Sequence, residues 1–159
     1  MDDAKLKPAK ETFAAFCRAM DNSDWKYQAD EENLLIKSGF QGDGLRMDFR
    51  IIVDANRQIV SYFCPLPFTV PEDKRVDMAV AVNVANYQMV HGHFDFNFAD
   101  GTMYFRLPQS FMASRLGEEA FRYLLFVGCK TVDDYADKFL MLSKGYIDIG
   151  KFVEMEQGE

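Results

Sequence analysis

Polar and apolar residues alternate most regularly between residues 93 and 107, and this segment is the starting point for predicting the fold. A period of two is typical of strands with one buried face. Asp100-Gly101 interrupts it with the residue pair that a two-residue type I′ turn favours. The pattern therefore predicts a hairpin with paired side chains on two faces: Phe98–Met103, Phe96–Phe105 and Phe94–Leu107 on the apolar face, and Asn97–Tyr104 and Asp95–Arg106 on the polar one.

Four further strands are predicted upstream of this hairpin, at about 25–27, 34–40, 45–54 and 58–64. The third has the clearest alternation, with an apolar set made of Leu45, Met47, Phe49, Ile51 and Val53. The turns between these strands are too short to contain a crossover helix, so the strands should be antiparallel neighbours. We expect a sheet with one face packed and the other open to water.

Apolar residues spaced three or four apart predict helices at 7–23, at about 71–89 and from 117 onwards. Gly128 and Thr131 suggest a kink or break in the last of these, and 109–116 has no clear assignment. We expect one domain over residues 1–159, with 148–159 as a flexible tail. The order α-β-β-β-β-α-β-β-α(α) predicts an α+β fold, an antiparallel sheet packed by helices.

The middle helix is apolar on nearly all sides. One stripe contains Val76, Ala79, Val80, Asn83 and Tyr87, and the other contains Met78, Val82, Ala85 and Met89. One sheet face covers only one side of such a helix, so either the terminal helices or a second copy must cover the other. The second possibility predicts a homodimer, and its candidate interface residues are Met78, Val82, Ala85 and Met89, joined by the aromatic residues Trp25 and Tyr104.

Charge and composition narrow the class of protein. The 159 residues carry a formal charge of −7, which disfavours binding to nucleic acid or to an anionic membrane. Three separated cysteines without a CxxC pair indicate a reducing compartment. No apolar run reaches the roughly 18 residues of a membrane span, and no secretory signal is visible. We therefore expect a cytoplasmic protein.

Motifs for catalysis or metal binding are weak. His91-Gly92-His93 could share an ion, but zinc usually needs three or four ligands and only Asp95 is nearby. Ser110, Ser114 and Cys129 lack a recognisable nucleophile motif. We expect no catalytic residues, no cofactor and no metal.

A set of residues in the second half of the chain resembles the signature of the YbjN-like family: Ala85-Asn86-Tyr87, Gly92, Phe94, Asp100-Gly101, Tyr104 and Arg106. Members are small bacterial proteins described as sensory transduction regulators. The resemblance spans about residues 10–146 and implies a fold like that of type III secretion chaperones, which are commonly dimeric. The family often has Gly-Leu after Asn-Tyr, whereas this chain has Gln88-Met89. No catalytic residue follows from the resemblance.

These observations favour a non-enzymatic protein-binding module with a regulatory or chaperone-like role and an unknown protein partner. The alternative is a small-ligand sensor or enzyme with a pocket between the sheet and the helices. A polar cluster buried in that position would favour the alternative.

Overall fold

The computed structural model describes residues 3–158, and the alternating segments of the sequence form its strands. The strands are β1 (Gln28–Asp30), β2 (Leu35–Gln41), β3 (Arg46–Asp54), β4 (Ile59–Pro65), β5 (His93–Phe96) and β6 (Met103–Ser110). They form one antiparallel sheet in the order β1-β2-β3-β4-β6-β5. β1 and β5 are therefore its edges.

The helices are α1 (Asp3–Asp21), α2 (Arg75–Tyr87), α3 (Glu118–Ser143) and α4 (Ile149–Gln157), and a 3₁₀ turn at Glu72–Lys74 precedes α2. α1, α2 and α3 pack on the sheet, while α4 packs on α2 and α3. Alternate residues of β3 are buried and exposed, which shows that one sheet face is covered and the other is open. The predicted α+β fold is thus confirmed. No helix of the described chain is long and apolar enough to cross a membrane.

Tyr62 lies at the centre of the core and is fully buried. Its ring stacks on Phe49 with centroids 4.9 Å apart. On the helix side it meets Gly128, where a Cβ would lie 2.8 Å from three atoms of the Tyr62 ring. α3 runs through Gly128 as one helix, so the predicted break is wrong. The glycine allows close contact between helix and sheet.

The hairpin of β5 and β6 is present, but its register differs from the predicted one by two residues. Phe94 pairs with Phe105, and Phe96 pairs with Met103. Gly101 has φ +77°, whereas Asp100 has no positive φ, so a type I′ turn is not formed. A shift of two residues keeps the side chains of both strands on their predicted faces, because the strand period is two. The prediction is wrong for Phe98, which lies in the loop after β5 and is 55% exposed.

The C-terminal segment is a helix, not the flexible tail expected from residue 148. Asp148 caps α4 by accepting a 2.7 Å hydrogen bond from the Lys151 N–H. Phe152 is fully buried and stacks on Phe139 with centroids 5.5 Å apart. This contact anchors α4 beside α2, so a terminal helix, the first of the two alternatives predicted from the sequence, covers that side of α2.

Candidate protein-interaction surfaces

The exposed face of α2 is one candidate surface. Its outward stripe contains Val76, Ala79, Val80, Asn83 and Tyr87, all exposed to solvent. Val76 is 65% exposed, Val80 45% and Tyr87 88%. No residue of this stripe is charged. We call it the α2 stripe. An uncharged stripe of this length on a solvent-exposed helix is typical of a surface that meets another protein.

The candidate interface predicted on the opposite side of α2 is wrong for three of its residues. Met78, Val82 and Ala85 are buried within the chain, and Met89 is half-buried. The reason is packing on β5, α3 and α4, which together cover that side of the helix. Periodicity predicted two apolar stripes but could not tell which of them faces the core.

The two aromatic candidates outside α2 lie on opposite sides of the sheet. Trp25 donates a 2.7 Å hydrogen bond to Ser38 Oγ and lies with Phe40 and Phe126 in a groove of about 350 Å³ on the helix side. Tyr104 lies on the open face, where its ring meets Phe63 at 4.6 Å. The two aromatic residues therefore cannot belong to one interface with each other.

The open face of the sheet is the second candidate surface. Cross-strand register aligns five of its residues in one row: Lys37, Arg50, Phe63, Arg106 and His93. We call this line the sheet row. At the usual strand spacing it is about 19 Å long. One end of it borders a shallow depression of about 760 Å³ whose charged lining residues are Lys26, Lys37, Arg46, Arg50 and Asp48.

The other end of the sheet row is neutralised. Arg106 donates to Asp95 Oδ2 from Nε at 3.1 Å and from Nη2 at 2.6 Å, and it also contacts the Tyr104 hydroxyl at 3.0 Å. The Asp95 carboxylate raises the pKa of Arg106 above its ordinary value. The predicted contact between Asp95 and Arg106 is thus present, although the two residues are diagonal rather than directly opposite.

Two openings border the packed core: the groove beside Trp25, and a cleft of about 840 Å³ between α1 and residues 111–116. The charged residues that line this cleft, Glu11, Arg18 and Arg115, are exposed. Among the described residues, the buried polar side chains are Thr12 and Ser143, and none of their polar atoms lacks a partner. The polar cluster that would favour an internal pocket is therefore not found in this part of the chain. His91 contacts the Tyr123 hydroxyl, and the described residues contain no group of three or more potential metal ligands.

The sequence of this chain matches the profile of a known protein family. The profile of the YbjN family, described as "Putative bacterial sensory transduction regulator", matches residues 12–141. The chain belongs to the YbjN family. No curated protein matches the sequence closely enough to count as a relative.

Two solved structures resemble this member of the YbjN family in fold. One is "Crystal structure of YbjN, a putative transcription regulator from E. coli", with a TM-score of 0.57, 8% identity and coverage of 77% of this chain and 86% of the other. The second is "Crystal Structure of the ExsC-ExsE Complex", with a TM-score of 0.53, 11% identity and coverage of 80% and 92%. The fold is therefore like that of a type III secretion chaperone.

The sheet row cannot be recognised from the sequence alone, although the alternation of its strands is visible there. Arg46, Asp48 and Arg50 occupy the polar positions of β3, and Lys37 occupies one in β2. Periodicity does not show the register between strands, and it is the register that places Lys37 opposite Arg50 rather than opposite a carboxylate.

Proposed function

We propose that this member of the YbjN family is a non-enzymatic protein-binding module with a regulatory or chaperone-like role. The observation that carries the proposal is the α2 stripe, an uncharged and largely apolar surface in a chain with 27% charged residues. The description of the family as a regulator supports it, and so does the fold shared with a structure from a protein–protein complex.

The first occupant that we propose for the α2 stripe is a second copy of this chain. Residues near the axis of a two-fold dimer meet their own copies, so a charged residue there would face a like charge. The stripe has Val80 and Asn83 at its middle and a valine or tyrosine towards each end. Antiparallel pairing of two α2 helices would therefore bury apolar surface without bringing like charges together.

Light scattering coupled to size exclusion tests this proposal. The wild-type chain should elute as a dimer, and Val80→Glu and Tyr87→Glu should each give a folded monomer, because each places a charge in the apolar contact. Met112→Glu is the matched control, since Met112 is 61% exposed but lies outside α2. Met78→Glu should unfold the chain, because Met78 is core. A wild-type monomer at all concentrations would contradict the dimer.

The wider binding role needs a partner that can be reconstituted. Tagged wild-type chain should retain a specific protein from its native cytoplasm, and the purified candidate should bind again in a two-component titration. A charged substitution in the α2 stripe or on the open sheet face should weaken that binding, while Met112→Glu should not. A candidate that binds all variants equally would count against both surfaces.

A further inference from the structure

Lys37 and Arg50 face each other directly across β2 and β3 on the open side of the sheet. Like charges in this position destabilise a sheet. Neither side chain has a carboxylate within ion-pair distance in the described part of the chain, in contrast to Arg106 at the other end of the sheet row. The one carboxylate that lines the depression beside them, Asp48, has Arg46 as its ion-pair partner at 3.8 Å, so it does not pair with Lys37 or Arg50.

We propose that the sheet row binds an extended acidic segment of a partner protein. Carboxylates of that segment would lie over Lys37 and Arg50, and an apolar side chain would contact Phe63 and the neighbouring Tyr104 ring. This inference rests on the proposed protein-binding role and adds the chemistry of the partner.

The shape of the surface favours an extended segment. The sheet row is about 19 Å long, which matches about six residues of extended chain. Side chains of an extended chain that point to one side are about 7 Å apart, so a segment can place carboxylates at one end of the row and an apolar group at Phe63. Because Asp95 already neutralises Arg106, the carboxylates should lie at the β2–β3 end.

Other anionic ligands fit this surface less well. A small phosphate is usually held by free backbone N–H groups, whereas those of β2 and β3 belong to the sheet ladder. Nucleic acid requires a broad basic surface that neutralises many phosphates. The sheet row offers only two cations without a carboxylate partner among the described residues, Lys37 and Arg50, which suits a short segment with a few carboxylates better.

Fluorescence anisotropy provides the test, with a labelled peptide of about eight residues that alternates glutamate and tyrosine. The same peptide with glutamine for glutamate is the ligand control. The wild-type chain should bind the glutamate peptide more tightly than the glutamine peptide, and added salt should weaken the binding. Equal affinity for the two peptides would overturn the proposal.

A double variant, Lys37→Gln with Arg50→Gln, should bind the glutamate peptide about tenfold more weakly. Its matched control is Lys7→Gln with Lys144→Gln, which changes the net charge equally at two other exposed lysines. If both variants lose the same affinity, the effect is only net charge and the proposal is wrong. A DNA duplex of about 20 base pairs that binds more tightly than the peptide, and depends on the same two residues, would assign the row to nucleic acid instead.

Two further measurements keep the result interpretable. The Lys37→Gln, Arg50→Gln variant should melt at or above the wild-type temperature, because it removes a repulsive pair. A clear fall in the melting temperature would show that the two cations stabilise the fold, and it would remove the premise that they repel each other. Light scattering on the same variant separates the two proposals, since self-association through the α2 stripe should persist even if peptide binding is lost.

Discussion

The side-chain amide of Asn86 makes two hydrogen bonds with the backbone of Phe94. Its Nδ2 donates to the Phe94 carbonyl at 2.9 Å, and its Oδ1 accepts from the Phe94 N–H at 2.8 Å. Phe94 belongs to β5, an edge of the sheet, where backbone groups otherwise lack a partner strand. Asn86, in the last turn of α2, thus gives the backbone N–H and carbonyl of Phe94 their hydrogen-bond partners and prevents another strand from pairing at this residue.

Asn86→Ala should destabilise the protein by about 1–3 kcal/mol, because both backbone groups of Phe94 lose their partner in a partly buried position. Asn86→Asp should also destabilise the protein, because one carboxylate oxygen still accepts from the N–H but the other would face the Phe94 carbonyl oxygen without a proton to donate. Urea denaturation measures the free energy of unfolding, and amide hydrogen exchange measures protection at Phe94. Asn83→Ala, on the exposed side of the same helix, should leave exchange at Phe94 unchanged. Undiminished protection in Asn86→Ala would show that the amide does not close this edge.

Gly101 holds the β5–β6 loop against the segment before α2. It has φ +77°, and a Cβ there would lie 2.2 Å from the Val70 carbonyl oxygen. Gly101→Ala should therefore destabilise the protein by about 2–5 kcal/mol, from left-handed backbone strain together with overpacking. Gly117→Ala is the control, because it has φ −82° and open space around it. Equal thermal midpoints for the two variants would contradict this account of the loop.

The faces of the strands could be predicted from the sequence, whereas the pairing of β5 with β6 could not. Burial depends on the period of two, which is visible in the residue pattern. Pairing depends on the conformation of a loop, and side chains that the pattern ignores select it. Asp100 accepts hydrogen bonds from the Thr102 N–H and hydroxyl, and Asn97 accepts from the Ala99 N–H. These bonds stabilise a longer loop than the two-residue turn expected from Asp100-Gly101.

The candidate surface on α2 could be predicted only as one of two alternatives. Both stripes are apolar, so the hydrophobic pattern does not distinguish the core side from the outer side. Which stripe of α2 is buried depends on α4, because α4 packs on the side of α2 that contains Met78. The sequence predicts a flexible tail there, since Phe152 is the only bulky aromatic residue of a short polar segment. The packing of Phe152 on Phe139, two residues far apart in the sequence, holds α4 in place and so determines which stripe of α2 remains exposed.

Two thiols, the buried Cys64 and the half-buried Cys129, differ from ordinary cysteines because burial disfavours their charged form. Burial raises the pKa of Cys64 to about 12 and that of Cys129 to about 11. The Tyr62 hydroxyl lies 3.7 Å from Cys129 Sγ. In the unfolded chain these thiols would lose their protons at lower pH than in the folded protein.

Two measurements follow from these raised pKa values. Because the thiolate is the reactive form, iodoacetamide at about pH 8 should label Cys64 and Cys129 far more slowly in the folded protein than in urea. The free energy of unfolding should also fall as the pH rises above the unfolded value of about 8.5, since the unfolded chain then releases protons that the folded chain retains. The double variant Cys64→Ala, Cys129→Ala should show a shallower alkaline decline. If the free energies of unfolding of wild type and variant decline in parallel between pH 9 and pH 11, the two thiols are not the cause of the alkaline decline. The tyrosines of the core then become the groups to examine.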